Sequence, residues 1–323
     1  MTPRVSVVVP TRDRLAMLRR ALASVRAQTF DGLVEMVVVD DGSLDGTAEW
    51  LQVHAPEIRL VVSTSPGGAA AARNRALGEI DGELIAFLDS DDVWRPTYLE
   101  DQVSNLDQRP DAVISHADYV LVDPAGGATR PTNGTLLPDA DALIRLLAEC
   151  FIHTQSTMIC RREAIDRFGR FDEGLAVVHD FDWYARVLAG GGVIAHLPRP
   201  LVERSVPGGL IADHRRWFGE ERTMIGRALA ASEGARSARP MIRAYRSLWF
   251  ARVALAKGDV AFGLARLAEA LLQSPRWTAK LAALSLARRA RGEHRMPAPE
   301  ALAVPLEEMA APPMAPGQPE AAR

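Results

Sequence analysis

The chain has 323 residues, 48% of them hydrophobic, with 38 Lys+Arg against 41 Asp+Glu. That is enough apolar material for a full core, and the net charge of −3 excludes a highly charged disordered chain. No apolar run approaches the ~20 residues a membrane span needs, no secretory signal precedes Pro3, and Cys150 and Cys160 lack CxxC spacing, so a cytoplasmic protein with reduced core thiols is expected.

The run VSVVV (5–9) predicts a first strand, and Leu15, Leu18, Leu22 and Val25, spaced by three and four, predict a helix after it. EMVVV (35–39) then precedes a helical stretch at 47–54, IRLVV (58–62) precedes an Ala-rich one at 69–80, and LIAFL (84–88) precedes 96–109. This β-α-β-α rhythm of short Val/Ile-rich strands predicts an α/β fold with a mainly parallel, Rossmann-like central sheet covered on both faces. Ligands of such sheets bind at the carboxyl ends of the strands. Further on, 112–122 reads as a strand pair, 140–150 as a helix, 156–162 as a strand and 180–191 as a helix stopped by glycine.

After 205 the pattern is all-helical. Helices are predicted at 240–257, 259–273 and 275–291, with one tetratricopeptide-like helix pair, too few repeats for a solenoid and therefore expected to pack on the first domain. Residues 296–323, with seven prolines and no apolar period, predict a disordered Pro/Ala-rich tail. The domains expected are thus 1–205, a helical section 206–295 and a tail 296–323.

The small net charge hides a segmented chain. Residues 1–203 carry 19 Lys+Arg against 30 Asp+Glu (−11), residues 204–295 carry 18 against 7 (+11), and residues 296–323 carry 1 against 4 (−3). A basic helical section can face anionic lipid, nucleic acid or the acidic domain beside it. No nucleic-acid partner is expected; the membrane surface predicted is the last helix, where Arg276, Lys280, Arg288, Arg289 and Arg291 accompany Trp277, Leu281 and Leu284.

Each predicted strand ends in polar residues. They are Pro10-Thr11-Arg12-Asp13, Asp40-Asp41-Gly42-Ser43, Ser63-Thr64-Ser65 before Gly67-Gly68, and Asp89-Ser90-Asp91-Asp92, four exits converging on one rim. A diphosphate leaving group needs a cation, and Mg²⁺ or Mn²⁺ held by one or two carboxylates and the phosphates supplies it. Asp89 and Asp91 suit that task. A bare helix N-cap would need one Asp and not three.

The stretches VSVVVPTRDRLAMLRRALASVRAQTF, MVVVDDGSLDGT, GGAAAARNRALGEIDGELIAFLDSDDVW and HDFDWYAR, in this order, resemble the GT-A-fold family 2 glycosyltransferases over roughly residues 4–205. The resemblance implies a nucleotide-sugar donor, a divalent metal and inversion at the anomeric carbon. It places Asp91 on the metal, Asp89 on the ribose and metal-bound water, and Asp41 on the uracil of a UDP-sugar. Pro10 and Thr11 lie against the base, Arg73 beside the diphosphate, and Asp92 on the donor sugar or the metal. It implies Asp180 as the general base that takes the proton of an acceptor hydroxyl. His179 stands where the family has Glu, which predicts pH sensitivity near 6–7 if the imidazole titrates.

Asp182 is expected to pair with Arg186 at i+4 rather than to act chemically. Arg204-Ser205 and His153-Thr154 are candidates for the flap and the acceptor side, and Trp94 and Trp183 for sugar stacking or core. His116, His153, His196 and His214 show no ligand spacing. The expected function is transfer of a sugar to a saccharide or lipid-linked acceptor in cell-surface polysaccharide or glycoconjugate synthesis, in the cytoplasm or at the inner membrane face. The alternatives are a transferase-like scaffold and a sugar-phosphate nucleotidyltransferase, though the Gly-rich loop and lysine of the latter are absent from PTRDRLAML.

Overall fold

The computed structural model describes residues 2–122, 128–129, 141–205 and 213–290; the predicted tail lies outside them. Strand β1 (Val5–Thr11) is buried along its length and pairs in parallel with β2 (Val34–Asp40) and β4 (Leu84–Phe87). On the far side of β2 lies β3 (Arg59–Val62), again parallel. Helices α1 (Leu15–Arg26), α2 (Thr47–His54) and α3 (Gly68–Ala76) make the crossovers. The period of two divides the core, with Val8, Ile85 and Phe87 facing one layer and Val7, Val9, Leu84 and Ala86 facing the other.

Beyond β4 the sheet becomes mixed. It continues through antiparallel β8 (Met158–Arg161) to β6 (Ala112–Val122), β9 (Val193–Ser205) and the edge strand β5 (Val93–Trp94), giving the order β3-β2-β1-β4-β8-β6-β9-β5, with β7 (Ala128–Thr129) on β6. Helix α4 (Tyr98–Gln108) and a 3-10 turn at Gln155–Thr157 flank this half. The pair expected at 112–122 is instead one strand. Its polar centre coincides with register shifts against β9 around Ala117, Asp118 and Tyr119, where Ala117 meets Leu197 and Asp118 meets Pro200; a bulge, not a turn, absorbs the polar residues. Pro198 and Pro200 hid β9 itself from the sequence pattern, since proline reads as a strand breaker away from bulges.

The remaining helices are α5 (Ala142–Glu149), α6 (Arg162–Phe168), α7 (His179–Ala189), α8 (His214–Ala231), α9 (Glu233–Ser237), α10 (Arg239–Ala256), α11 (Val260–Gln273) and α12 (Pro275–Ala290). Met224 and Ile225 of α8 and Ile242 and Tyr245 of α10 share one core with Leu146 of α5, Trp183 of α7 and Phe87 of the sheet. A buried ion pair fastens this join: Arg246 grips both oxygens of Glu221 and donates to the Ala148 carbonyl at 3.3 Å. Breaking such a pair strands a charge in the core, which makes it a strict constraint on how α8 and α10 sit. Among the described residues no helix is long and apolar enough to cross a membrane.

Candidate active site

The strand exits are stitched to one another by side chains that a sequence leaves unpaired. Asp13, at φ 51°, accepts from the Leu44 N–H while its own N–H donates to Ser43. Asp45 accepts from the Leu15 N–H at 2.9 Å and so caps α1 from the neighbouring loop. Gly42 turns β2 away at φ 83°, a left-handed conformation that a Cβ would strain. The Thr11 hydroxyl is buried at this rim and has no hydrogen-bond partner among the described residues.

Asp41 is buried, and its carboxylate accepts from the Gly67 and Gly68 N–H groups at 2.8–3.1 Å and from Arg75 at 3.1 Å. It thereby binds the end of β2 to the start of α3. Arg75 was overlooked in the sequence, where the Arg73-Asn74-Arg75 spacing was its signal; it also donates to Ser63 at 2.6 Å.

The acidic exit of β4 separates into three environments. Asp89 receives Arg73 on Oδ1 and the Thr154 hydroxyl on Oδ2. Asp91 is a quarter exposed and faces Arg14 at 2.7 Å, a second residue that sequence reasoning missed. Burial and then the Asp89 charge raise the Asp91 carboxyl, which Arg14 partly offsets. Asp92, expected on the sugar or the metal, is turned inward. Its oxygens accept from Thr154 and from the Ser205 N–H at 3.2 Å, and burial followed by the charges of Asp89 and Asp91 pushes it up to about 7. Through Asp92, Thr154 and Ser205 are brought to the rim.

Arg73 is only 3% exposed and is no surface helix residue. It donates from one terminal nitrogen to Asp89 and from the other to His179 Nε2 at 2.6 Å. Because guanidinium only donates, Nε2 is the lone-pair nitrogen and the proton sits on Nδ1, which has no partner among the described residues. Burial, then the Arg73 charge, lower the His179 pKa, so the expected titration near 6–7 does not follow: this histidine is held neutral. Next to it Asp180, half-buried in the first turn of α7, accepts from the Phe181 N–H at 2.7 Å. One chain of contacts therefore runs from the β4 exit through Arg73 to His179, and Asp180 is the residue that follows it in α7.

Several lesser expectations resolve. Asp182 pairs with Arg186 at 2.8 Å. Trp183 is fully buried and donates to the Gly169 carbonyl, and Trp94 stacks on Tyr98 while donating to Ser156, so neither is a sugar platform. His196 bonds Asp118 and His214 bonds Asp259; His116 is buried against His196, and burial and that neighbour lower it to about 3. Both cysteines are free thiols.

Among the described residues no three His, Cys, Asp or Glu side chains converge to hold an ion by themselves. That donor set fits a cation which takes one or two protein carboxylates and completes its shell with substrate phosphates and water. Asp91, partly exposed and paired with Arg14, and Asp89 beside it are the residues that fit.

This fold and this rim define a GT-A glycosyltransferase. The sequence profile described as "Glycosyl transferase family 2" matches residues 6–169, and the chain belongs to that family. It is 37% identical over 123 residues to the "Putative teichuronic acid biosynthesis glycosyltransferase TuaG" of Bacillus subtilis, covering 37% of this chain and 48% of the relative. To the "Poly(ribitol-phosphate) beta-N-acetylglucosaminyltransferase TarS" of Staphylococcus aureus it is 30% identical over 164 residues, 50% of this chain and 28% of the relative. Other curated relatives are matched over 23–59% of their own length. The solved structure of S. aureus TarS 1-349 with UDP-GlcNAc superposes at TM-score 0.58 with 22% identity, covering 75% of this chain and 70% of that one. Mannosyltransferase PcManGT of Pyrobaculum calidifontis, in complex with GDP-Man and Mn²⁺, gives TM-score 0.58 and 22% identity over 90% and 81%.

Proposed function

We propose that this enzyme is an inverting, metal-dependent glycosyltransferase that moves a sugar from a UDP-sugar to an acceptor hydroxyl in cell-surface polysaccharide or glycoconjugate synthesis. The observation that carries the reading is the contact chain Asp89–Arg73–His179, which ties the acidic exit of β4 to the head of α7, where Asp180 follows His179 in the chain. TarS, solved with UDP-GlcNAc, and PcManGT, solved with GDP-Man and Mn²⁺, support a nucleotide-sugar donor.

Asp91 and Asp89 would hold the cation, which when bound neutralises the departing diphosphate. Arg73, fixed between Asp89 and His179, offers its guanidinium to the phosphate side. Pro10 and Thr11 border the base, where the Thr11 hydroxyl has no partner among the described residues. Base recognition by Asp41 requires a donor to leave, since its lone pairs are taken; Arg75, about a third exposed, is the one that can swing away. Asp180 accepts the proton of the acceptor hydroxyl as it attacks C1 from the face opposite UDP. Asp92 serves by holding Thr154 and Ser205 at the rim. Calorimetry with UDP tests the reading: binding that strengthens on adding Mn²⁺ is expected, and no binding with or without metal would favour a non-catalytic scaffold.

Peripheral contact with an anionic membrane belongs to the same proposal, with its surface moved. Leu281 is 3% exposed and packs in the core, so α12 does not present it outward. The apolar face lies on α11, where Val260, Leu264, Leu271 and Leu272 are 50–83% exposed. Arg276 and Lys280 of α12 are exposed nearby, and Arg222, Arg239 and Arg243 crowd together without an ion pair among the described residues; burial, then Arg239 and Arg222, lower the Arg243 pKa. Other arginines of this section are used internally, as in Arg215–Asp259, or against the acidic domain, as in Arg227–Asp172. Each free cation near such a surface contributes about 1 kcal/mol. Co-sedimentation with anionic liposomes at low salt, lost at high salt and absent with neutral lipid, is the expected result; equal behaviour with both lipids would show that the charge serves the protein itself.

A further inference from the structure

The helix that carries Asp180 starts without a cap of its own. Its N-cap residue is Val178, which makes no side-chain cap, so the entry of the helix rests on what holds the residues leading into it. That hold comes from the helical section. Glu220 of α8 accepts from the Val177 N–H at 2.8 Å, and its carboxylate lies close to the N–H groups of Ala176 and Val178 as well.

The aim of Glu220 is set from behind. The adjacent Glu221 points into the core and is gripped by Arg246, which also holds the Ala148 carbonyl, while Arg216 one turn earlier bonds the second oxygen of Glu220 at 2.8 Å. Neighbouring helical positions face about 100° apart, so one carboxylate anchors α8 and the next reaches out to α7. Burial acts against the charge on Glu220, but the Val177 N–H and Arg216 hold it below the usual carboxylate range. It therefore stays ionised at neutral pH, where a negative group at a helix N-terminus is favoured.

We infer that Glu220 is a positioning residue for Asp180, and that the helical section after the family-matched segment 6–169 completes the active site by capping the base-bearing helix from outside. This rests on the reading of Asp180 as the base. Residues 176–178 lead directly into His179 and Asp180, so freeing their backbone lets the first turn of α7 fray and blurs the placement of the proton acceptor. The donor site is built on β1, β2, β4 and α3 and meets α7 only through the Arg73–His179 contact, while Asp89 holds the other side of Arg73.

The test uses the full chain with Glu220→Ala, Glu220→Gln and Arg216→Ala, reading amide hydrogen exchange over 176–180, UDP affinity in Mn²⁺, and UDP release from UDP-GlcNAc. In Glu220→Ala, exchange at Val177 rises and kcat falls about fivefold to tenfold, the size of a lost helix cap, with UDP affinity and donor KM within about twofold of the parent. Glu220→Gln keeps an acceptor for Val177 and restores most of both readouts, and Arg216→Ala, which leaves that acceptor in place but removes one group that aims it, moves both readouts in the same direction and by less than Glu220→Ala. Unchanged exchange at Val177 in Glu220→Ala overturns the inference whatever the turnover, and so does a loss of UDP affinity equal to the loss of kcat. Should UDP-GlcNAc prove not to be turned over, the exchange result decides. Asp180→Asn separates the two readings, since full turnover in that variant removes the base assignment while leaving the cap and its exchange signature standing.

Discussion

Asp180→Asn lowers sugar transfer by about 10²–10⁴, the range for loss of a general base, while UDP affinity stays near that of the parent. The substitution keeps the shape of the side chain and an oxygen for the Phe181 N–H that Asp180 now accepts, so the start of α7 is not disturbed. What disappears is the capacity to take a proton from the attacking hydroxyl. Neighbouring groups do not replace it. His179 is held by Arg73 through its only lone-pair nitrogen, and Asp182 is committed to Arg186. Turnover measured beside UDP calorimetry checks this; a parallel loss of donor binding would move Asp180 to the donor site.

Asp91→Asn abolishes the gain in UDP affinity that Mn²⁺ confers, by about a hundredfold, at the upper end of the 10–100-fold that even an outer-shell partner is worth. Asp91 lies at the rim, partly exposed, and among the described residues its carboxylate pairs with Arg14 while its carbonyl, which the substitution keeps, holds Ser205, so the fold holds and UDP affinity in the presence of a chelator stays within about twofold of the parent. Thermal unfolding and calorimetry, each with Mn²⁺ and with EDTA, separate the two contributions. UDP affinity in Mn²⁺ that matches the parent would remove Asp91 from the metal site.

The half of the fold before residue 110 was legible because its strands are short and apolar, with β1 and β4 buried along their length, and its helices repeat every three to four residues. Local patterning and burial agree there. Between 112 and 205 they part: β6 carries polar residues through a bulge and β9 carries prolines beside it, and both remain strands because each completes the other's backbone pairing. A pairing partner some 80 residues away leaves no mark on the local pattern.

The same division runs through the site. Asp41, Asp89, Asp91 and Asp180 stand at strand exits or a helix start, where spacing alone announces them. Arg14 and Glu220 carry no such signal, and Arg75, Thr154 and Ser205 only a faint one, because each matters through a partner between 34 and 113 residues distant in the chain. Protonation followed the same rule: His179 looked like a group poised to titrate, but burial and one guanidinium hold it neutral.

By itself, then, the amino-acid sequence determined the alternating α/β architecture, the helical section behind it and the carboxylates at the strand ends, since hydrophobic period and residue type act over a few neighbours. Only the tertiary structure decided how Asp91 and Asp92 are shifted, which arginine faces each carboxylate, and which helix holds the entry of the one bearing Asp180. Desolvation and Coulombic coupling depend on distance through space and are blind to separation along the chain.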